Sequence, residues 1–337
     1  MKYPINTKHV REIQGSIWEK IKKTFSYRRG VGEPLPIYGH YGGVFQVNDE
    51  RLVIHCDNIG TKILVAQMLN KFDTVGIDAV AMSVNDILCL GAEPLVGVDY
   101  IGLAKEDHDL VDQLITGLVN GCEQSNCALI GGETAITPEL INENNKMFDI
   151  VFNVVGRIID GIDIVTGDKI ENGDVIIGLE SSGLHSNGYT LARKVLGIKK
   201  WGNEMLTPTR IYVKPILDVL KQEKNNVHGI AHITGGAFSK LTRINKNVGF
   251  LLNNMPKMPA IFEELHRNVD DVREMYQTFN CGIGMTLVVK KQGESNIHNI
   301  LKKHNLKSYT IGEITNDPKM RGVWLDYENK RIDLTLH

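Results

Sequence analysis

The alternation of apolar and polar positions predicts helices and strands that interleave along the whole chain. Apolar residues recur every three or four positions from Ile77 to Leu88, and Gly91 and Pro94 follow them, which predicts an amphipathic helix over about 74–90. The same spacing predicts a second helix over about 107–124. Short apolar runs bounded by turn residues predict strands at 51–56, 128–130, 148–157, 174–179, 227–232, 284–289 and 309–314.

The second half of the chain repeats the order of the first, in which a strand runs into a polar loop and the loop opens a helix. This order predicts an α/β (or α+β) fold, with helices packed on sheets in both halves. Turn residues at 160–161 and 166–168 indicate a boundary between the halves, and 337 residues are enough for about two domains. We therefore predict domains at 1–162 and 163–337.

Composition and charge place the chain in the ordinary globular class. Hydrophobic residues make up 42% and charged residues 23%, and the net charge is only -2. No overall field would attract nucleic acid or an anionic membrane, so we expect a small-molecule partner, no nucleic acid and no membrane. Five scattered cysteines without a Cys-x-x-Cys pair suit a reducing compartment. Because Met1–Asn6 lacks an apolar segment, we expect an untargeted, cytoplasmic protein.

The common nucleotide-binding signatures are missing, and acidic and amide groups take their place. The chain has no Gly-Lys dipeptide and therefore no Walker A loop, and no G-x-G-x-x-G sequence opens a helix. Asp57, Asn85, Asp86 and Glu133 are instead the kinds of group that bind Mg²⁺. On a helical wheel, Asp78 joins Asn85 and Asp86 in a polar stripe opposite the apolar arc. Taken alone, this stripe is most simply the water-facing side of a surface helix.

Several loops offer ligand contacts, each with a plainer alternative. The loop at 182–188 lies between a predicted strand and a predicted helix, where free N–H groups favour an anion, although capping and packing would explain the same residues. The segment 234–236 is a weaker candidate for the same kind of anion binding. A turn is predicted at 131–134, where two glycines would let the backbone approach a ligand and a carboxylate and a hydroxyl follow them. The loop at 39–43 would either cover a nucleotide or form a plain hairpin. The segment 57–62 is either an ordinary turn or a loop that binds metal and phosphate.

Taken jointly, the motifs resemble the phosphoribosylformylglycinamidine cyclo-ligase family of purine synthesis. They occur in the family's order across nearly the whole chain, and the set is specific although no single member would suffice. They are Asp57-x-x-Gly60-Thr61-Lys62, Asp73-Thr74-x-Gly76-Ile77-Asp78, Val84-Asn85-Asp86-Ile87-Leu88, Gly91-Ala92-Glu93-Pro94, Gly131-Gly132-Glu133-Thr134-Ala135, Ser181-Ser182-Gly183-Leu184-His185-Ser186-Asn187-Gly188-Tyr189, Pro208-Thr209-Arg210-Ile211-Tyr212, His232-Ile233-Thr234-Gly235-Gly236 and Thr278-Phe279-Asn280-Cys281-Gly282-Ile283-Gly284-Met285.

The resemblance implies a homodimer, a fold and a reaction. The N-terminal domain would pair its sheet with that of a second copy to form a dimer barrel, and the C-terminal domain would have a mixed sheet with helices. The cofactors would be ATP and Mg²⁺, and the substrate would be formylglycinamidine ribonucleotide. ATP would activate the formyl amide oxygen as a phosphoryl imidate, and the amidine nitrogen would then close the imidazole ring and expel phosphate.

The resemblance also implies roles for individual residues. Catalytic roles fall to Asp57, Lys62 and His185, with His185 either an acid/base or only a phosphate ligand. Metal binding falls to Asp57, Asn85 and Asp86. Cofactor binding falls to Lys23 (or Lys22), Gly42, Gly43, Gly60, Thr61, Asn85, Asp86, Gly132, Glu133 and Thr134. Substrate binding falls to Ser182, Gly183, Ser186, Asn187, Gly188, Thr234, Gly235 and Gly236.

The chain departs from the family pattern at Asn58, Ile59, Ala237 and the segment 136–139. Other ATP-using enzymes of the same superfamily are therefore alternatives: selenophosphate synthetase, thiamine-monophosphate kinase and the hydrogenase-maturation dehydratase. The first would need an early reactive Cys, whereas Cys56 is the first here, and the last would need a C-terminal Cys, whereas we read His337 at the end. A nucleotide-binding subunit without turnover is the alternative from a different class.

Overall fold

The strands of the computed structural model form two separate sheets, one from each half of the chain. The structure describes residue 13 and residues 17–141, 147–269 and 271–336. Residues 1–6, on which we base the expectation of an untargeted protein, therefore lie outside the described residues. The strands of the first sheet fall within 33–158 and those of the second within 175–333, which gives the mixed α/β fold that the sequence predicts.

The first sheet is built from six strands in the described part of the chain. They are β1 (Glu33–Pro34), β2 (Gly43–Val47), β3 (Glu50–Asn58), β4 (Ala92–Leu103), β5 (Ala128–Ile136) and β6 (Phe148–Ile158). Their spatial order is β1-β2-β3-β6-β4-β5. Neighbours are antiparallel except β4 and β5, which run parallel.

Helices cover one face of this sheet. Three helices of this half are α1 (Ile63–Leu69), α2 (Val75–Leu88) and α3 (His108–Ser125), and the described residues 13 and 17–21 are also helical. Helix α3 makes the crossover that a parallel β4–β5 pair requires. Two glycines let α2 and α3 touch at the backbone, since a Cβ on Gly76 would lie 2.4 Å from the Leu114 oxygen and one on Gly117 would lie 2.5 Å from the Asp73 oxygen. The close crossing places α2 firmly against the sheet.

The second sheet has seven strands among the described residues. They are β7 (Val175–Glu180), β8 (Val227–His232), β9 (Gly249–Leu252), β10 (Ile283–Val289), β11 (Ser308–Thr315), β12 (Gly322–Tyr327) and β13 (Lys330–Asp333). Their spatial order is β13-β12-β9-β11-β7-β10-β8, and only β9 and β12 pair in parallel. Every residue of β8 and β10 is buried, as expected for strands covered on both faces.

Short helices surround the second sheet. They are α4 (Tyr189–Val195), α5 (Ile198–Met205), α6 (Val213–Glu223), α7 (Ala260–His266), α8 (Val272–Thr278) and α9 (Glu294–Lys303). Turns of 3-10 helix occur at Lys22–Tyr27, Gly60–Lys62, Ala237–Arg243, Lys291–Gly293 and Pro318–Met320. No helix in the described residues is both long and apolar enough to cross a membrane.

Most elements predicted from the sequence are confirmed, with two corrections. The helices over 74–90 and 107–124 are α2 and α3, and the predicted strands are present. The predicted turn at 131–134 is wrong, because β5 continues through it to Ile136 while pairing with β4 as far as Leu103. The general prediction that each polar loop opens a helix also needs correction at 234–236, because the segment that follows is a seven-residue 3-10 helix, which Gly236 and Ala237 enter with φ of 86° and 41°.

Helix α2 lies between the two halves and is buried on both sides. Asp78 and Asn85 are fully buried and Asp86 is only 6% exposed. The interpretation of this polar stripe as the water-facing side of a surface helix is wrong. The second half of the chain covers the stripe, and its polar atoms bind that half instead of water.

A buried ion pair joins the halves at the start of this stripe. The Lys62 ammonium lies 2.9 Å from Asp78 Oδ1 and also donates to the carbonyl oxygens of His185 and Thr207, at 3.0 and 2.7 Å. The Asp78 carboxylate accepts further hydrogen bonds from the Thr209 backbone N–H and from the Ser186 hydroxyl. Burial lowers the pKa of Lys62, and the charge and hydrogen bond of Asp78 act against that change. The pair thus fastens two segments of the second half, 185–186 and 207–209, to the first.

We predict that Lys62→Met destabilises the protein by about 3–5 kcal/mol, because it leaves the buried Asp78 charge unpaired. Urea unfolding followed by circular dichroism measures the change. Lys71→Met is the matched control, since the Lys71–Asp73 pair is exposed and its loss should cost less than about 1 kcal/mol. Equal losses in both variants would contradict the account.

Candidate active site

Two elements of the first half bring a histidine and two carboxylates together. Residues Val53, His55 and Asp57 alternate along β3 with more exposed neighbours and point to the helix-covered face. The last turns of α2 present Asp86 to the same place. One potential ligand atom from each of His55, Asp57 and Asp86 lies within 4.8 Å of the others. The predicted metal residues Asp57 and Asp86 are therefore neighbours.

The two carboxylates carry opposite pKa shifts. Burial, followed by the negative charge of Asp86, raises the pKa of Asp57 above its ordinary value. Burial also acts to raise the pKa of Asp86, but a hydrogen bond and positive charge from His232, with His55 and Lys240, outweigh it and lower that pKa. Two carboxylates in mutual repulsion form a site that a cation would stabilise.

The second half closes over the carboxylates from the end of β8. His232 Nδ1 lies 2.6 Å from Asp86 Oδ1, and the His232 side chain is fully buried. The Tyr41 hydroxyl donates to the His232 backbone oxygen at 3.3 Å, and the Arg243 guanidinium lies 4.9 Å from the centre of the Tyr41 ring. Burial and the charge of Arg243 lower the pKa of the adjacent His40 to about 4. The loop at 39–43 is thus packed onto the second half at its His-Tyr pair.

The predicted loop 234–236 lies beside this cluster. The Lys240 ammonium donates to the Thr234 hydroxyl at 3.2 Å and acts electrostatically on both Asp57 and Asp86. A Cβ on Gly235 would lie 3.1 Å from Asn187 Oδ1, so the loop also meets the predicted loop 182–188. The buried Asn187 Nδ2 has no hydrogen-bond partner among the described residues, which leaves it able to donate to a ligand.

The loop 182–188 is held by contacts with both halves. Ser186 Oγ lies 3.1 Å from Asp78 Oδ1, and the Ser182 hydroxyl donates to the Pro208 oxygen at 2.5 Å. The Gly183 and Gly188 backbones have φ of 151° and 78°, and a Cβ on Gly188 would meet the Phe279 ring at 2.4 Å. The helix that follows has only seven residues. The conformation of this loop is therefore set by its glycine backbone angles and its packing contacts, more than by the dipole of the short helix that follows it.

The side chain of His185, a residue of this loop, points into the protein interior. It is 1% exposed, its Nε2 accepts the Ser182 backbone N–H at 3.2 Å, and a Cβ on Gly284 would meet its ring at 2.3 Å. Burial, with the charges of His232, Lys62 and Arg210, lowers the pKa of His185 well below its usual range. The described geometry favours a neutral imidazole that supports the loop.

Two predicted site residues serve instead to hold the halves together. Lys62 is fully buried with its ammonium engaged by Asp78 and two carbonyls, so a phosphate contact for Lys62 finds no support here. Asn85 Nδ2 donates to the Arg210 oxygen at 2.8 Å, and its Oδ1 accepts the Tyr212 N–H at 2.9 Å. These contacts make Asn85 an anchor for the segment 207–212 and give no support to a metal role.

The glycine and threonine of the first loop meet the second half directly. A Cβ on Gly60 would lie 4.0 Å from the Ser186 oxygen, and Thr61 Oγ1 lies 3.3 Å from Thr190 Oγ1. Both predicted residues therefore border the junction. Gly60 has φ of 57° in the turn that ends β3, a conformation that favours glycine.

Other predicted cofactor residues lie apart from the cluster. Gly132 shares a row of the sheet with Asp57, but β6 and β4 separate them, a distance of about 14 Å at the usual strand spacing. Glu133 is paired with Tyr100 one residue further on, and it therefore faces the opposite side of the sheet from Asp57. The remaining predicted residues are Thr134 beside Glu133, Gly42 and Gly43 at the start of β2, and Lys23, which is exposed in the first 3-10 turn.

The structure adds residues that the sequence reasoning missed. His55 could have been found from its position two residues before Asp57, which puts both on one face of a strand. His232 could have been found from its place at the end of a strand, directly before the 234–236 loop. Arg243 and Lys240 carry no comparable signal, because only the folded chain brings them to the carboxylates.

Comparisons with known sequences agree with this arrangement. Residues 39–158 match the family described as "AIR synthase related protein, N-terminal domain", and residues 171–325 match "AIR synthase related protein, C-terminal domain". The chain is similar to the phosphoribosylformylglycinamidine cyclo-ligase of Methanococcus maripaludis, with 42% identity over 321 residues that cover 89% of this chain and 90% of the relative. It is equally similar to that of Pyrococcus furiosus, with 42% identity over 314 residues and 90% of each chain covered.

Solved structures show the same fold in more distant proteins. A thiamine monophosphate kinase from Aquifex aeolicus matches with a TM-score of 0.64 at 16% identity, over 97% of this chain and 99% of its own. The structure titled "T. maritima PurL complexed with ATP" matches with a TM-score of 0.58 at 17% identity, over 89% of this chain and 47% of its own. Likeness at such identity establishes the fold alone, whereas the sequence relatives decide the family. The chain belongs to the phosphoribosylformylglycinamidine cyclo-ligase family.

Proposed function

We propose that the protein uses ATP to close the imidazole ring of formylglycinamidine ribonucleotide, giving aminoimidazole ribonucleotide, ADP and phosphate. The observation that carries the proposal is the meeting of Asp57 and Asp86 from the first half with the loops at 182–188 and 234–236 from the second. The printed names of the sequence relatives support the reaction. The route through a phosphoryl imidate belongs to the same proposal.

The residues of the cluster fit the divalent cation that the family resemblance implies. Asp57 and Asp86 supply two close carboxylates, and burial and the negative charge of Asp86 raise the pKa of Asp57. A cation between them would remove the repulsion, so these two residues would hold Mg²⁺. When bound, the ion would neutralise negative charge on the phosphates of ATP.

The protein's own contribution is positioning and charge. Phosphoryl transfer needs aligned groups and stabilised oxygens more than covalent chemistry from the protein. Lys240 brings a positive charge beside the 234–236 loop, and the Asn187 amide offers a buried donor without a partner. We therefore place the phosphates between Asp86 and these loops, with Ser182, Ser186 and Gly235 on the substrate side. The structures "T. maritima PurL complexed with ATP" and "AaThiL complexed with AMPPCP and TMP" support use of ATP on this fold.

We also propose a homodimer through the open face of the first sheet. Ile54 and Val98 are 48% and 38% exposed on the face opposite α2, and β6 contributes Val151 and Val155 to the same face. An apolar sheet face of this kind is typical of an interface. Glu133 lies on that face, so it would contact the nucleotide at the dimer interface.

The proposal also covers the domain boundary and the cellular compartment. We place the boundary between an ATP-binding, dimer-forming domain and a substrate domain at 162/163, between the last strand of the first sheet and the first strand of the second. All five cysteines are free thiols, which agrees with a reducing compartment, and we place the enzyme in the cytoplasm.

We predict that Asp57→Asn and Asp86→Asn each lower kcat/KM for aminoimidazole ribonucleotide formation by about 100-fold or more, because each removes one charge from the cation site. ADP and product are measured together from ATP, Mg²⁺ and substrate. Asp163→Asn, which removes a fully exposed carboxylate outside the site, is the control and should leave turnover unchanged. A folded wild type that makes neither product would refute the cyclo-ligase proposal, and phosphorylation of thiamine monophosphate would favour the kinase alternative.

We predict that His185→Asn lowers kcat/KM without changing the shape of its pH profile between about pH 5 and 8. Burial lowers the pKa of His185 well below its usual range, which favours the neutral ring at neutral pH, and asparagine tolerates the φ of 58° at this position. Loss of an acid limb in the variant would show that His185 titrates during turnover.

We predict that the wild type has twice the 37.6 kDa mass of one chain in light scattering after size exclusion, and that Val98→Glu shifts it towards the monomer. Val119→Glu is the matched control, because Val119 is 50% exposed on α3 rather than on the open sheet face. A monomeric wild type, or dissociation by Val119→Glu alone, would refute the proposed interface.

A further inference from the structure

The cluster at the junction contains a nitrogen donor that a site for Mg²⁺ alone does not need. His55 lies on β3 two residues before Asp57 and on the same face. His55 Nε2 lies 3.4 Å from Asp86 Oδ2, and one atom each of His55, Asp57 and Asp86 lie within 4.8 Å of one another. A single ion could therefore contact all three side chains.

Among the described residues, no hydrogen bond from Nε2 fixes the direction of the His55 ring. Its Nε2 is a buried atom without a hydrogen-bond partner in the described residues. A buried polar atom without a partner costs free energy, and it calls for an explanation such as an ion. His232 approaches the other oxygen of the carboxylate more closely, because its Nδ1 lies 2.6 Å from Asp86 Oδ1, although its Nε2 has no hydrogen-bond partner among the described residues. His232 thus orients the carboxylate, in the way that outer partners orient metal ligands, while His55 Nε2 approaches the other carboxylate oxygen at 3.4 Å without forming a hydrogen bond.

We propose that His55 is the nitrogen ligand of a divalent-metal site completed by Asp57 and Asp86, and that this site takes a first-row transition ion such as Mn²⁺ or Co²⁺ in preference to Mg²⁺. The inference rests on the proposed function for the location of the metal and adds a ligand and the kind of ion. Mg²⁺ is a hard cation that is bound by oxygen, whereas imidazole nitrogen strengthens binding of transition ions. Replacing one oxygen by a nitrogen therefore shifts the preference of the site.

A second group of similar composition provides an internal comparison. Glu171, Asp174 and His228 also bring ligand atoms within 4.8 Å of one another. There the histidine is already used, because His228 Nδ1 lies 2.7 Å from Asp174 Oδ2, and the same oxygen accepts the Glu171 N–H at 3.0 Å. This group is satisfied by its own hydrogen bonds and serves as the control.

The test is a titration of the full-length protein with Co²⁺, without nucleotide or substrate, followed by the visible absorption of the bound ion. His55→Gln should weaken Co²⁺ binding by at least about tenfold, the lower end of the loss seen when even an outer partner of a metal ligand is removed. His228→Gln should leave the affinity and the spectrum unchanged. In parallel, Mn²⁺ binding followed by electron paramagnetic resonance with Mg²⁺ as competitor should show preference for Mn²⁺ in the wild type, and that preference should shrink in His55→Gln. Circular dichroism confirms that both variants are folded.

The outcomes separate this inference from the proposed reaction. Unchanged Co²⁺ binding in His55→Gln, with loss in Asp86→Asn, would overturn the role of His55 while leaving the carboxylate site intact. Loss in His228→Gln instead of His55→Gln would place the ion at the other group and overturn the inference. Loss in His55→Gln in a protein that forms no aminoimidazole ribonucleotide would support the ligand and refute only the reaction.

Discussion

The buried Lys62–Asp78 pair at the junction of the two halves is the contact on which the site depends. Removing a charge pair from water is costly, and additional hydrogen bonds offset part of that cost. Here such bonds come from the second half, through His185, Ser186, Thr207 and Thr209. Moving the second half away would expose both charges to water and break these hydrogen bonds. The pair thus fixes the loops of the second half relative to α2.

The same helix continues from this anchor to the proposed chemistry. Asp78, Asn85 and Asp86 lie on one stripe of α2, and their contacts change from structural to functional along it. Asn85 binds the backbone of 210–212, and one residue later Asp86 meets His232, His55 and Asp57. The first half therefore supplies the carboxylates, and the second half supplies donors and positive charge. Neither half alone would form the site.

The sequence predicts the scaffold better than it predicts the use of the polar residues. The periodicities that predict α2, α3 and most strands are local, and tertiary packing did not override them. The wheel places Asp78, Asn85 and Asp86 together correctly, but it does not show that a second half covers them. The resemblance identifies Asp57 and Asp86, which do meet. It also assigns Lys62 to phosphate, although burial and three partners make it an anchor. The glycines at 131–132 are typical of a turn, yet pairing with β4 keeps them in an edge strand.

The most direct test of the account is to locate the bound metal in a crystal of the full-length protein grown with Mn²⁺ and a non-hydrolysable ATP analogue. The account predicts an anomalous peak at the junction, in contact with Asp57 and Asp86, with the nucleotide phosphates between that peak and the loop 234–236. A peak confined to Glu171, Asp174 and His228, or phosphates bound away from the junction, would contradict it.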